Sequence, residues 1–219
     1  QKTAYEIMPS LVGSEMCIRD RCVSDLNKKD VVICLISGGG SALLELPLED
    51  VSLKDMLKLT KLLLNSGARI QEINTIRKHI SMVKGGRLAK LCNPATVISL
   101  IVSDVIGDPI SFIASGPTSP DYTTFNDAYS ILSKYNLLND VPDSVLSVIQ
   151  KGMNGEIEET PKEGDKTFER VKNFVICNNA KAIEEGTKTA KQLGFSVVNL
   201  GSFIEGEAKH VGNMLAGIA

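Results

Sequence analysis

Four short apolar segments along the chain have the length and composition of β-strands, and segments with a helical spacing of apolar residues lie between them. The predicted strands cover residues 31–36, 95–102, 171–177 and 195–200. Short runs of β-branched and apolar residues indicate strands that are buried on both faces of a parallel sheet. Because strands and helices alternate, we predict an α/β fold with a mostly parallel sheet and helices on both faces.

The predicted helices have the start and stop signals that are typical of helix ends. Ser52 caps the first long helix, with Asp55 at the third helical position, and Gly67 supplies the stop. A more polar helix is expected over residues 70–81, and Thr124 caps a helix with a clear apolar stripe. Further helices are expected near residues 142, 178–193 and 204–219, and the acidic stretch 152–166 is predicted to be a surface loop.

The first predicted strand is followed directly by a glycine-rich loop, Ser37-Gly38-Gly39-Gly40-Ser41. Glycines expose main-chain N–H groups that can converge on an anion, and the two serines add hydroxyl groups. The spacing matches neither the GxGxxG dinucleotide fingerprint nor the P-loop. The alternative is a flexible linker, but linkers of this composition usually join domains and this one lies inside a predicted core. We therefore predict an anion-binding loop.

Polar residues share one side of the second predicted helix. Arg77 and Lys78 follow Asn74 by three and four positions, so the three side chains lie on one side of the helix. Their amide and cationic groups suit a carboxylate or phosphate ligand. Lys84 follows in a glycine turn and is a further candidate for binding phosphate. The alternatives are a solvated helix face and an exposed loop. His79 is expected to be an ordinary residue at the surface or behind the site.

Acidic residues follow the second predicted strand. A carboxylate such as Asp104, directly after Ser103, can accept a proton from a hydroxyl group, and Asp108 is the candidate for holding magnesium. The alternative is that Ser103 and Asp104 cap the next turn or helix, as such residues commonly do. Ligands of open α/β sheets bind outside the carboxyl ends of the strands. Further candidates in such connections are Ser115, Gly116 and Asn178.

Composition excludes several classes of protein. The 24 basic and 26 acidic residues nearly balance, and no segment has the basic excess that is typical of nucleic-acid binding. No apolar run approaches the roughly 18 residues that cross a bilayer, and no secretory signal peptide is visible. The five cysteines lack CxxC spacing and are interpreted as reduced thiols. We therefore expect a cytoplasmic protein whose partner is a small molecule.

A small anionic substrate, a second phosphate-bearing ligand and a carboxylate base together fit phosphoryl transfer, which depends on positioning and charge neutralisation. Three long blocks make this hypothesis specific: LISGGGSALLELP, LTKLLLNSGARIQEINTIRKHISMVKGGRLA and SLIVSDVIGDPISFIASGPT. In order and spacing, these blocks resemble the signature blocks of glycerate kinases of the MOFRL-associated type, the glycerate 2-kinase family. The resemblance covers essentially residues 30–219.

The resemblance implies an ATP-dependent, magnesium-requiring kinase of glycerate metabolism that phosphorylates D-glycerate, most often at the 2-hydroxyl. It implies that Asp104 is the base that takes the hydroxyl proton and that residues 37–41 receive phosphate groups. Arg77 and Lys84 would neutralise the substrate or the transferring phosphoryl group. The resemblance further implies a Rossmann-like domain that is paired with a smaller second domain across the site.

This sequence departs from the family pattern at both ends. Residues 1–21 resemble translated sequencing-adapter sequence, so we expect a non-native or disordered leader at 1–29 and the glycerate kinase domain at 30–219. The family's upstream glycine-lysine-alanine segment, with its active-site lysine, and its C-terminal MOFRL domain are not found. We therefore expect the chain alone to have little or no kinase activity. A homodimer and, for the complete protein, a mitochondrial location stay open.

Two other functions are considered. A Rossmann-like sheet and a small hydroxyacid also describe a hydroxypyruvate reductase, although no GxGxxG follows a strand and no acidic residue lies about 20 residues beyond one. The other alternative is a non-catalytic domain that captures small anions through residues 38–40.

Overall fold

The computed structural model describes residue 23 and residues 25–218, so the adapter-like residues 1–21 lie outside the described residues. The elements are, in chain order, β1 (Val31–Ile36), α1 (Gly40–Leu43), α2 (Leu53–Asn65), α3 (Ile70–His79), α4 (Arg87–Cys92), β2 (Thr96–Val102), a 3-10 helix (Ile113–Ser115), α5 (Phe125–Lys134), α6 (Asp143–Met153), a second 3-10 helix (Lys166–Phe168), β3 (Val171–Cys177), α7 (Asn179–Gln192) and α8 (Ala208–Ile218).

The sheet has three strands within the described part of the chain, in the order β1-β2-β3, and both neighbouring pairs are parallel. Leu35 pairs with Leu100, which pairs in turn with Phe174. The α/β class is therefore confirmed, as are the first three predicted strands. The prediction of a fourth strand is wrong, because the described residues 195–200 form none. An apolar segment becomes a strand only where a neighbouring strand pairs with it.

Four helices form the larger apolar core, which we call the helical core. It brings α2, α3, α5 and α6 together around fully buried side chains such as Leu59 and Leu132. The caps predicted from the sequence are confirmed: Asp55 N donates to Ser52 Oγ at 3.1 Å, and Thr124 caps α5 in the same way. The helical core thus fixes α3, which carries most of the candidate cations.

A smaller apolar core lies on one face of the sheet. It consists of Val32, Cys34, Val97 and Val171 from the strands, packed with Val83, Leu88 and Cys92. The opposite face is open along β1, where Val31, Ile33 and Leu35 have exposed fractions of 56%, 62% and 78%. The expectation that β1 is buried on both faces is therefore wrong. Leu88 and Cys92 of α4 supply the helical part of the smaller core.

All three strands run in the same direction, so their carboxyl ends meet at one edge of the sheet. Ser37, Ser103 and Asn178 directly follow β1, β2 and β3 at that edge. α3 ends at His79 rather than at residue 81, since Ser81 forms an isolated antiparallel bridge. Across residues 25–218, no helix is both long enough and apolar enough to cross a bilayer.

Candidate active site

The glycine-rich loop after β1 packs tightly against two neighbouring segments. A methyl group added at Gly38 would lie 2.6 Å from Asp104 Oδ2, and one added at Gly40 would lie 2.9 Å from the Cβ of Ala114. Gly39 has a φ of 79°, in the left-handed region that favours glycine. A side chain at position 38 or 40 would therefore collide with a neighbouring segment, and position 39 has a backbone conformation that favours glycine. The carboxylate of Asp104 lies directly against the loop.

Two main-chain N–H groups of this loop are available to a ligand. Gly40 N donates to Ser37 O at 3.2 Å, whereas the N–H groups of Gly38 and Gly39 meet no acceptor among the described residues. Both of these glycines are exposed. Exposed main-chain amides with no side chain in the way can bind an anion.

Three of the predicted polar residues form a hydrogen-bonded cluster beside the loop. The Oγ atoms of Ser41 and Ser115 lie 2.6 Å apart, and Ser115 Oγ donates to Asn74 Oδ1 at 3.2 Å. Ser115 and Gly116 both have left-handed backbones, with φ of 62° and 60°, which turn the chain back toward the loop. The cluster thus connects α1, α3 and the first 3-10 helix.

Arg77 and Lys84 lie behind the loop and are almost fully buried, with exposed fractions of 3% and 0%. Arg77 Nη2 donates to Ser41 O at 2.7 Å and to Glu45 Oε2 at 2.9 Å. Lys84 Nζ donates to Ser41 O at 2.8 Å and to Leu44 O at 2.6 Å. The alternatives of a solvated helix face and an exposed loop are therefore wrong. Both cations bind the main chain around α1.

Lys78 and His79 belong to a second buried charged cluster. Lys78 Nζ donates to Asp121 Oδ1 at 3.2 Å, and His79 Nε2 lies 2.9 Å from Glu159 Oε1. His79 Nδ1 lies 2.7 Å from Thr75 O, and because a carbonyl oxygen only accepts, Nδ1 carries a proton. A surface position for His79 is thus wrong, because its side chain is fully buried between carboxylates.

The two carboxylates of this cluster have lowered pKa values. Burial raises the pKa of Glu159, but the hydrogen bond and charge of His79 and two main-chain N–H groups outweigh it and lower the pKa to about 2. Burial also raises the pKa of Asp121, but Lys78, His79 and hydrogen bonds from Thr123 bring it below its ordinary value. Both groups are therefore charged at neutral pH.

Glu159 lies in the acidic stretch that was predicted to be a surface loop. Thr160 and Pro161, in the same stretch, are buried. Thr160 Oγ1 donates to Asp121 Oδ2 at 3.1 Å. The surface prediction is wrong for these residues, because the segment supplies partners for buried groups of α3.

A cavity of about 280 Å³ opens between the glycine-rich loop, α3 and the segment after β2. Five predicted site residues line it: Gly39, Ser41, Asn74, Arg77 and Asp104. The Nε of Arg77 is buried and has no hydrogen-bond partner among the described residues. The volume lies just below the range of about 300–1,000 Å³ that is usual for small-molecule pockets, so the cavity suits a small acid better than a whole nucleotide.

The remaining candidates lie outside this cavity. Ser103 Oγ donates to Val105 O at 3.2 Å, which is the turn role considered for it. Asp108 Oδ2 accepts from Asn178 Nδ2 at 2.5 Å and lines a separate cavity of about 460 Å³. The described residues contain no group of three or more His, Cys, Asp or Glu side chains arranged for a metal ion. Magnesium usually binds one or two carboxylates and several waters, so Asp108 stays a predicted ligand.

Sequence reasoning missed the three acids that pair with the buried cations, namely Glu45, Asp121 and Glu159. Glu45 had a usable signal, since it is a single charged residue inside the apolar run of residues 42–48. Charged residues are rarely fully buried unless they are paired. Asp121 and Glu159 had no such signal, because each lies in a polar, turn-rich segment.

The fold and the site together define a class of protein. It is an α/β domain with a small cavity at the carboxyl ends of its parallel strands, beside a glycine-rich loop and a carboxylate. Residues 14–150 match the family described as a domain of unknown function, DUF4147. The chain therefore belongs to the DUF4147 family.

The relatives in this family connect it to glycerate kinases. A glycerate 2-kinase of Pyrococcus horikoshii is 50% identical over 191 residues, which are 87% of this chain and 42% of the relative. A putative hydroxypyruvate reductase of Agrobacterium vitis is 42% identical over 197 residues, 90% of this chain and 43% of that protein. The crystal structure of a glycerate kinase from Thermotoga maritima superposes with a TM-score of 0.79 at 41% identity, covering 95% of this chain and 47% of that one.

These comparisons confirm the resemblance to glycerate kinases over most of the chain. They also show that the chain spans less than half the length of the relatives it matches.

Proposed function

We propose that this chain carries the glycerate-binding part of an ATP-dependent glycerate kinase. The observation that supports this most is the contact of the Asp104 carboxylate with Gly38, because it brings a base beside free main-chain amides. The same carboxylate lines a small cavity with Arg77 and Asn74. A base, an anion-binding loop and a cation around one cavity are the groups that phosphoryl transfer to a hydroxyacid needs.

The cavity accounts for the substrate class. The carboxylate of D-glycerate accepts a hydrogen bond from the Nε of Arg77, which has no protein partner among the described residues. Asn74, which also lines the cavity, offers its amide group. The hydroxyl group that is phosphorylated faces Asp104.

The proposed reaction is one displacement at phosphorus. Asp104 takes the proton of the substrate hydroxyl, the hydroxyl oxygen attacks the γ-phosphorus of ATP, and ADP leaves with the former bridging oxygen. The product is a phosphoglycerate. We favour 2-phosphoglycerate, because the Pyrococcus relative is named a glycerate 2-kinase.

The glycine-rich loop would bind the phosphate groups. The N–H groups of Gly38 and Gly39 are exposed and donate to no acceptor among the described residues, so they can stabilise the negative charge of phosphate oxygens. Asp108 supplies a hard carboxylate oxygen of the kind that magnesium prefers. Bound magnesium neutralises phosphate charge. The rest of the nucleotide does not fit in the cavity at Asp104.

The activity is proposed for a version of the protein with the full length of its relatives. In that version, Asp104→Asn should lower kcat by about a hundredfold or more, the usual contribution of a positioned base, while D-glycerate binding changes little. Asp140→Asn, in the connection between α5 and α6, is the matched control and should leave kcat unchanged. An Asp104→Asn enzyme with normal turnover would refute the assignment of the base.

A reductase is the second candidate, and the name of the Agrobacterium relative favours it. The two functions differ in the cofactor that stabilises the folded state. If the protein is a kinase, Mg-ATP should raise the midpoint of thermal unfolding and NADH should not, because only a bound ligand stabilises. A rise with NADH alone would favour the reductase.

A further inference from the structure

Glu45 is a buried carboxylate that the proposed reaction does not use. It lies two residues beyond α1, and its exposed fraction is 0%. Moving a carboxylate out of water is costly, so such a group persists in a protein only with charged or hydrogen-bonding partners. Both cations behind the glycine-rich loop meet at one of its oxygens: Arg77 Nη2 lies 2.9 Å from Oε2 and Lys84 Nζ lies 3.4 Å from it.

The two cations connect Glu45 to the main chain around α1. Ser41 O accepts from Arg77 at 2.7 Å and from Lys84 at 2.8 Å, and Leu44 O accepts from Lys84 at 2.6 Å. The carboxylate draws both cations to the same place and offsets their mutual repulsion. The main chain around α1 is therefore held through its carbonyl groups.

This attachment extends to the glycines by main-chain hydrogen bonds. Leu44 N donates to Gly40 O at 2.8 Å, and Leu43 N donates to Gly39 O at 3.3 Å. Consecutive glycines lose much conformational entropy when they are fixed in one backbone conformation. A loop whose amides must point in one direction before a ligand arrives therefore needs attachment from outside itself.

We propose that Glu45 is a positioning residue for the glycine-rich loop. It holds Arg77 and Lys84 on the carbonyl groups of Ser41 and Leu44 and thereby fixes the free amides ahead of α1. Glu45 itself contacts no ligand. The measurement of loop dynamics below stands by itself, whereas the kinetic measurement rests on the proposed function.

The first experiment measures amide hydrogen exchange in the 219-residue chain. Glu45→Gln keeps the shape of the side chain but removes its charge, so Arg77 and Lys84 repel each other and release α1. Exchange at residues 42–44 should become about tenfold faster, the effect expected when one charged hydrogen bond is lost. Asp55→Asn, which weakens the cap of α2, is the control and should not change exchange at residues 42–44 selectively.

Two outcomes of this experiment would overturn the proposal. One is unchanged exchange at residues 42–44 in Glu45→Gln. The other is an equal increase throughout the chain, which would mean that Glu45 supports overall stability only. If Glu45→Gln does not fold, Glu45→Asp replaces it, because this variant keeps the charge on a shorter side chain. Exchange at residues 42–44 should again become selectively faster, but by a smaller factor. Unchanged exchange at residues 42–44 in Glu45→Asp would equally overturn the proposal.

The second experiment uses the version with the full length of the relatives. Glu45→Gln should raise KM for ATP about tenfold, because the loop that is proposed to bind its phosphate groups loses its attachment. It should leave the pH dependence of kcat unchanged, because Glu45 transfers no proton. Glu45→Asp should recover part of the affinity. A shifted pH profile would contradict the positioning role. Selectively faster exchange in a protein without kinase activity would refute the proposed function and leave the role of Glu45 intact.

Discussion

The helical core and the sheet differ in how completely their apolar residues are covered. Leu59 and Leu132 of the helical core are fully buried, whereas Leu35 of β1 is 78% exposed and Phe174 of β3 is 48% exposed. The candidate site lies where the two regions meet. Its cations come from or follow α3, which the helical core fixes, and its loop and carboxylate follow strands of the open sheet. Most of the site's rigidity should therefore come from the helical side.

The helical core and the sheet should differ most in how much stability is lost when a leucine is shortened. Leu132→Ala should lower the free energy of unfolding by about 3 kcal/mol, because it leaves a cavity in a closely packed region. Leu35→Ala should change it by about 0.5 kcal/mol or less, because the side chain already contacts water. Urea unfolding of both variants measures the two values. Equal losses would contradict the comparison.

A smaller effect concerns the loop that joins the two regions. Gly38→Ala places a methyl group 2.6 Å from Asp104 Oδ2, so the loop and the carboxylate have to separate. Affinity for D-glycerate should fall by about tenfold, which is about 1.4 kcal/mol. Gly186→Ala, in α7, meets no atom within 4 Å and serves as the control. Isothermal titration calorimetry measures both, and unchanged affinity in Gly38→Ala would argue against this site.

The sequence could predict the elements that depend on local signals. The strands at residues 31–36 and 171–177 follow from short apolar runs, and the caps at Ser52 and Thr124 follow from residue type and spacing. The meeting of residues 37–41 with Asp104 follows from the shared edge of a parallel sheet.

Features that depend on distant partners could not be predicted. Residues 195–200 have the composition of a strand, but no neighbouring strand pairs with them in the described structure. Arg77, Lys78 and His79 have the same helical spacing whether they face water or carboxylates. Their burial is decided by Glu45, Asp121 and Glu159, which are 32 to 80 positions away from them along the chain.

Acid should weaken the attachment of the 159–162 segment to α3. The pKa of Glu159 is lowered from 4.5 to about 2, so its contribution is present above pH 4.5 and is lost as pH falls toward about 2. The urea midpoint of the unsubstituted protein should therefore fall more over this interval than that of Glu159→Gln. Glu163→Gln, one residue beyond this segment, is the control and should follow the unsubstituted protein. Identical acid sensitivity of all three would contradict the pairing with His79.

Two cysteines should differ in their rate of alkylation, a difference that involves no change in stability. Burial raises the pKa of Cys92 to about 12, whereas Cys177 is exposed at the end of β3. Because the thiolate is the reactive form, an alkylating reagent at pH 8 should label Cys177 well before Cys92. Mass spectrometry of the peptides gives the order of labelling. Early labelling of Cys92 would show that the covered face of the sheet opens readily.

The amide resonances of Gly38 and Gly39 report directly on whether the glycine-rich loop binds an anion. In a ¹H–¹⁵N spectrum of the protein, added inorganic phosphate should shift these two resonances first and to the largest extent, because their N–H groups have no acceptor in the described structure. Binding without a shift at Gly38 and Gly39, or shifts centred on another part of the molecule, would contradict the account.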